Sequence, residues 1–515
     1  MNVTAQVRAG GVPRPDRLVV AAVAALGLLT LVLVFVGNGN VGLALAPLAL
    51  GLVVLAAVRA PLRYSLLVVG FLCLTLDNPG EIPAAGLWRS PLYVAGALLL
   101  SHLNVTIPIK ALFFSGLDLA LVLLAATWAF RRMTASHVDL RGHVPPAAPL
   151  RSAALLCLVA IFVVWGYGLL RDGADFRFSL WQVYRVIYLP CVFLLYTAGI
   201  RGSGDGRAFG IALILAALVR ACLAAYLRHL FPSVEQMPYA TAHADSMLFA
   251  DAFLLVLIVF FERPSPRNLL VSLATLPLLT WGMIANNRRL VWVELLVGLL
   301  VLYFITPFTR LKRRIAQTVA VSLPALALYA VLGWSSPSSI FAPVRTIRSV
   351  MDSAADPSAL WRDWENYNLF YTVKSNPLFG TGFGHGYVEI VRLPDISKNF
   401  ELYRFAPHNS VLGLIAFSGA VGFAAMWLII PLGVFFAVRS YRFSTTPRDR
   451  TTALATVGIL VVYVVHCYGD MALGSWTSVF TVAPALALVA KQAVATGAWP
   501  LRPRQWSALS PRAGG

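Results

Sequence analysis

Trp361 to Leu412, WRDWENYNLFYTVKSNPLFGTGFGHGYVEIVRLPDISKNFELYRFAPHNSVL, is a polar island between two long apolar runs, 316–333 and 409–437. That contrast decides the fold class. A chain of 515 residues that is 59% hydrophobic and only 12% charged lacks the polar surface of a soluble globule. The expected architecture is an all-α polytopic membrane protein of about 12–14 transmembrane helices, with a long outer loop containing short interfacial helices.

Outward from the island, apolar runs of bilayer length fall at 18–37, 41–58, 64–77, 111–129, 151–170, 184–200, 208–226, 247–261, 268–285, 289–306, 316–333, 409–437, 452–469 and 474–493. The segment 84–104 is apolar but interrupted by Pro91 and Asn104, which suits a re-entrant or interfacial piece. Three parts follow: 1–333 with membrane helices and short loops, 334–408 as the long loop, and 409–515 with three helices and a basic tail. The start of the sequence is polar and basic, and the first apolar run is long enough to remain as a membrane helix.

In a soluble protein the net charge of +19 would suggest nucleic acid, but here the position of the charges counts for more than their sum. With the runs strung alternately through the bilayer and the N-terminus inside, 25 of the 41 basic residues fall in inner segments. Both termini are therefore expected in the cytoplasm and the 334–408 loop outside, with membrane lipids rather than nucleic acid as the surroundings. Seven more basic residues lie in that loop, which is too long for the rule to count. The five cysteines lie singly in apolar runs and read as small core residues. The eight histidines show no metal-ligand spacing, so no metal or other cofactor is expected.

The nine remaining basic residues, Arg89, Lys110, Arg171, Arg177, Arg185, Arg220, Arg228, Arg288 and Arg289, fall on or toward the outer side, against the charge bias. In Asn286-Asn287-Arg288-Arg289-Leu290 two guanidinium groups open a helix after a very short loop. A helix N-terminus and paired guanidinium forks together suit an anion, phosphate above all. Upstream, His243, Asp245 and Ser246 enter a span together, with Asp251 deeper. Asp245 reads equally well as an ion-pair partner or a substrate contact, and Asp251 as a structural partner of an outer arginine.

Within the loop, Trp361, Trp364, Tyr367, Phe370 and Tyr371 recur at helical spacing and suggest an aromatic face lying at the membrane interface. The four glycines 380, 382, 384 and 386 miss the dinucleotide-binding spacing. They suit close approach of backbone to backbone or to substrate, Gly382 and Gly384 included. In Ala406-Pro407-His408-Asn409-Ser410 the proline fixes the entry to the next helix and Asn409 or Ser410 can cap it. His408 is then held at the membrane surface, where a neutral imidazole can take a proton from a hydroxyl.

Three of these pieces, in order, resemble the bacterial O-antigen ligases and the related Wzy-type O-antigen and exopolysaccharide polymerases: Asn287-Arg288-Arg289 opening a span, Asn376-Pro377-Leu378-Phe379-Gly380-Thr381-Gly382-Phe383-Gly384, and His408-Asn409 before a long helix. The resemblance covers about residues 230–440. It implies an inner-membrane glycosyltransferase that works at the periplasmic face, without metal. The donor would be a glycan on undecaprenyl diphosphate and the acceptor a hydroxyl of a glycan or glycolipid. By the same resemblance His408 is the base, Arg288 with Arg289 meets the diphosphate, and Asn409 accompanies His408. Relatives carry a further arginine in an earlier outer loop, for which Arg228, Arg185 or, in role, His243 stand here. The motifs are common to polymerases and ligases, and the preferred reading is a polymerase, with ligation to lipid A-core or a protein as the alternative. A polysaccharide transporter or flippase would place its polar residues at mid-membrane and in two related halves.

Overall fold

The structure is a computed structural model that describes residues 27–28, 59–79, 89–103, 114–133, 143–233, 237–336, 338–341, 344, 348, 357–397 and 400–500. The runs 18–37 and 41–58, most of 84–92, Lys110 and the basic tail after residue 500 lie wholly or largely outside these residues. The helices are, in order, α1 Leu62–Thr75, α2 Tyr93–Leu100, α3 Gly116–Met133, α4 Ala148–Leu169, α5 Phe176–Gly199, α6 Gly206–Leu230, α7 Asp245–Glu262 and α8 Pro266–Asn286. They continue with α9 Leu290–Ile305, α10 Arg310–Gly333, α11 Pro357–Ser375, α12 Ser410–Trp427, α13 Ile429–Phe443, α14 Pro447–Gly469 and α15 Trp476–Ala495. The described residues form a multi-pass helical membrane protein.

Among the described residues, eight helical segments are long and apolar enough to cross a membrane: α4, α5, α6, α8, α10, α12 joined to α13, α14 and α15. Of the other apolar runs, α1 and α9 are shorter. Helices α3 and α7 each carry three charged residues, Asp118, Arg131 and Arg132 in one and Asp245, Asp251 and Glu262 in the other. Buried charge on such helices calls for partners inside the bundle, and Asp118 and Asp245 have them, in Tyr188 and Arg220.

Helix starts follow local chemistry. Ser265 precedes Pro266 and accepts from Asn268 N, and Thr446 precedes Pro447 and accepts from Asp449 N, so in both a capping oxygen sits before a proline at the first helical position. Helix α15 lies at the centre, with 89% of its apolar window buried, and α14 beside it has 61%. They are enclosed by α5, α7, α9 and α13. At the opposite extreme, the apolar stretch of α10 has no buried residue among those described.

Arg220 of α6 is fully buried and donates to Asp245 of α7 at 2.7 and 2.9 Å and to Asp77 after α1. One guanidinium thereby hydrogen-bonds both carboxylates, tying three segments in a region where an unpaired charge is very costly. Of the two readings of Asp245, ion pairing is the one present. Asp251 departs from expectation: it is 1% exposed, and both its carboxylate oxygens lack a hydrogen-bond partner among the described residues, so no arginine pairs with it. It lies six residues, about 9 Å, further into α7 than Asp245, which already engages Arg220.

The run 409–437 is also not one smooth helix. At Gly419, φ 63°, α12 breaks, and the 377–382 segment fills the break. Ala420 N and Val421 N donate to the carbonyls of Pro377 and Leu378, while the carbonyls of Ala416 and Phe417 accept from Thr381 N and Gly382 N, all at 2.8–3.1 Å. The four backbone groups freed by the break are thus satisfied by the inserted loop, as they must be inside a bilayer. An added Cβ on Gly382 would meet Gly168 Cα at 2.3 Å, so the backbone-to-backbone approach expected of these glycines is made onto α4 and α12.

Candidate active site

The site lies at the end of the bundle where α8 gives way to α9 and α14 to α15. Helix α8 ends on Asn287, φ 55°, a left-handed cap, so the chain turns at once into α9 and leaves Arg288 and Arg289 between the two. The preceding loop is pinned there: Asn286 Oδ1 accepts from Thr241 N at 2.9 Å, Asn287 Nδ2 donates to Pro238 O at 3.2 Å, and Arg228 donates to Ala285 O and Met237 O at 3.0 and 2.9 Å.

Arg288 turns inward. Its Nη2 lies 3.1 Å from Asp470 Oδ2 and 2.6 Å from His243 Nδ1, and its guanidinium stacks 5.1 Å from the Tyr239 ring centre. Arg289 points outward and is exposed. Asp470 is 3% exposed, in the short turn between α14 and α15, and also lies 3.1 Å from His243 Nδ1. Burial lowers the His243 pKa, and the charges of Arg288 and Arg362 add to that against the pull of Asp470. The neutral imidazole accepts from Arg288, whereas an imidazolium would repel it. Burial works to raise Asp470, but His243, which presents an N–H to it once protonated, and the charge of Arg288 outweigh this and hold the carboxyl well below the usual range.

His408 sits beside this cluster. Its backbone N–H donates to Glu365 Oε2 at 2.9 Å, and its Nδ1 lies 3.2 and 3.3 Å from the two Glu365 oxygens. Glu365, on α11, is 1% exposed. A carboxylate that holds the Nδ1 proton leaves the lone pair on Nε2, the arrangement of a general base. Asn409 caps α12 by accepting from Leu412 N at 3.0 Å, and its Nδ2 is buried without a partner among the described residues. Ser410 Oγ donates to the Asp470 carbonyl at 3.0 Å, so adjacent residues join the histidine to the arginine cluster.

Helix α11 spans both halves. Glu365 holds His408, and Arg362, one turn earlier, acts electrostatically on His243 and Arg288. Its aromatics do not form a single outer face. Trp361 and Trp364 pack into a core with Phe383, Tyr387 and Phe417, while Tyr367, Phe370 and Tyr371 are exposed. The buried side also carries Asn368, which bonds the backbone of Ile390 and Val391 and so fixes the loop beyond.

Arg288, His243 and His408 thus come together, with Asn409 alongside. Arg185 reaches the same end, its Cγ packed where a Cβ on Gly474 would lie, at 2.9 Å. Arg228 clamps the loop, Asp245 is occupied by Arg220, and Gly382 and Gly384 belong to the insert beside α4, α5 and α12. Sequence reasoning missed Glu365, Asp470 and Arg362. Asp470 is the acidic residue of a very short turn between two apolar runs, a signal present in the sequence. Arg362 was among the loop arginines set aside by the charge rule.

Residues 273–427 match the family described as O-Antigen ligase, a stretch that contains Arg288, Arg362, Glu365, the glycine insert and His408 and ends before Asp470. A comparison with curated proteins found no match.

Proposed function

We propose that this chain, whose residues 273–427 carry the O-antigen ligase and Wzy-type domain, is a glycosyltransferase that moves or polymerises glycan from an undecaprenyl-diphosphate donor onto a sugar hydroxyl at the periplasmic face. The observation that carries the reading is the junction of the Arg288 cluster and the Glu365–His408 pair through Ser410 and Asp470. A cationic group poised for a diphosphate and a histidine poised for a hydroxyl are the two halves of such a transfer.

The acceptor hydroxyl gives its proton to His408 Nε2 as its oxygen attacks the anomeric carbon. The bond from that carbon to the diphosphate oxygen breaks, and the lipid diphosphate leaves with the negative charge. Arg288 stabilises that charge, with Arg362 and Arg289 contributing to the field. Asp470 and His243 fix the Arg288 fork, and Glu365 fixes the His408 tautomer. Asn409 Nδ2 is a donor for the acceptor sugar. The three parts of the chain follow: membrane helices to 333, a 334–408 loop bearing the acidic and basic residues of α11, and C-terminal helices that supply Asp470.

The acceptor of the preferred reading is another lipid-linked repeat unit. The matched family, described as O-Antigen ligase, favours the second reading, ligation to lipid A-core or a protein. Purified protein given undecaprenyl-diphosphate-linked glycan with each acceptor separates the two and tests both against the loss expected of His408→Ala.

A further inference from the structure

At the other end of the bundle a cleft of 440 Å³ opens between α1, α6, α7, α14 and α15. Its walls are apolar, with Phe71, Leu255 and Phe480 among them, and its mouth is ringed by Arg207, Arg263, Arg267 and Arg448. These arginines stand at the start of α6, the end of α7 and the starts of α8 and α14. Arg288 and Asp470 lie at the far ends of α8 and α14, about 30 Å away along helices of 21 and 23 residues.

Like charges are crowded here: Arg448 and Arg207 both act on Arg263, opposed only by Asp449. No ion pair joins any of the four to a described acidic residue. Of the acidic groups at this end, Asp205 pairs with Arg63, Glu262 accepts from Tyr441 and Asp449 accepts from Thr446. Arginines that merely mark the inner side of a membrane need no cleft beneath them.

We propose that this cleft binds an anionic phospholipid, with an acyl chain lying against Phe71 and Phe480 and the phosphate among the four arginines. Guanidinium forks match phosphate oxygens, and a hydrocarbon chain fills an apolar groove without leaving a polar group unpaired. The seat is separate from the transfer site and independent of the proposed activity. The bound lipid bridges α6, α7, α8 and α14, so it stabilises the folded bundle by mass action.

The test is thermal unfolding and native mass spectrometry of the detergent-purified full chain. It is titrated with phosphatidylglycerol, with phosphatidylcholine of the same chains, or with inorganic phosphate. Phosphatidylglycerol should bind roughly tenfold or more tighter than phosphatidylcholine and raise the melting temperature. The variant R207Q/R263Q/R267Q should lose that preference, and Gly210→Leu, which fills the cleft wall, should weaken both lipids. Equal binding of the two lipids, a preference that survives in the glutamine variant, or the same stabilisation by inorganic phosphate alone would overturn the proposal.

Discussion

The Ser410 hydroxyl donates to the Asp470 carbonyl at 3.0 Å, and through this bond the helix that follows His408 is tied to the turn that holds Arg288. Ser410 opens α12 and Asp470 lies in the turn between α14 and α15, and neither has chemistry of its own in the proposed transfer. Their contact nevertheless sets the separation between base and cation, to which the rate of a two-substrate reaction is sensitive.

Glu365→Gln keeps the size of the side chain but removes the charge that holds Nδ1–H of His408. Transfer should fall by roughly 10²–10⁴ in kcat, with little change in KM for the lipid donor. A change confined to KM would assign Glu365 to binding instead.

Gly382→Ala and Gly173→Ala make a matched pair. Both positions have positive φ, 82° and 81°, but only at Gly382 would a Cβ collide with backbone. The first should cost about 2–5 kcal/mol from strain and overpacking and the second about 1–2 kcal/mol from strain alone. Equal melting temperatures for the two variants would show that the insert does not pack against α4 as described.

Arg220→Met leaves Asp77 and Asp245 buried with no cation and should destabilise the fold by about 3–5 kcal/mol. The triple change that also replaces both aspartates by asparagine should recover part of that loss. Near-wild-type stability of the single variant in a thermal melt would remove Arg220 from the account of how α1, α6 and α7 are held.

His243 and Asp470 both have pKa values lowered by folding, from ordinary values of 6.5 and 3.8. The unfolded chain therefore binds more protons at each site, and the stability they contribute is complete above about pH 6.5. It is lost as pH falls, first through the lowered value of His243 and then through that of Asp470. Melting temperature should decline on acidification below pH 6.5, and His243→Gln should flatten the upper part of that decline. A wild-type protein that grows more stable in that window would contradict the geometry of the cluster.

Much of this was legible in the sequence because the bilayer imposes simple rules. The apolar runs among the described residues became helical, 409–437 with a break at Gly419, and the turn at Asn287-Arg288 and the cap at Asn409 were set by short-range chemistry. The partners were harder to read. Glu365 and His408 are 43 residues apart and Arg288 and Asp470 are 182 apart, separations for which periodicity carries no information. The glycine pattern signalled close approach but not its target, since a break at Gly419 becomes visible only when the carbonyls of Ala416 and Phe417 are followed to their donors. The aromatic spacing of α11 hid a polar buried side, because Glu365, Asn368 and Thr372 recur at the same helical interval as the tryptophans.

The central claim is that Arg288 and His408 act on one substrate pair. Its most direct test is transfer of glycan from undecaprenyl diphosphate by purified Arg288→Ala and His408→Ala variants, each first shown to be folded by its melting temperature. The account predicts a loss of roughly 10²-fold or more for each variant, with wild-type folding. Full activity in both folded variants would contradict it.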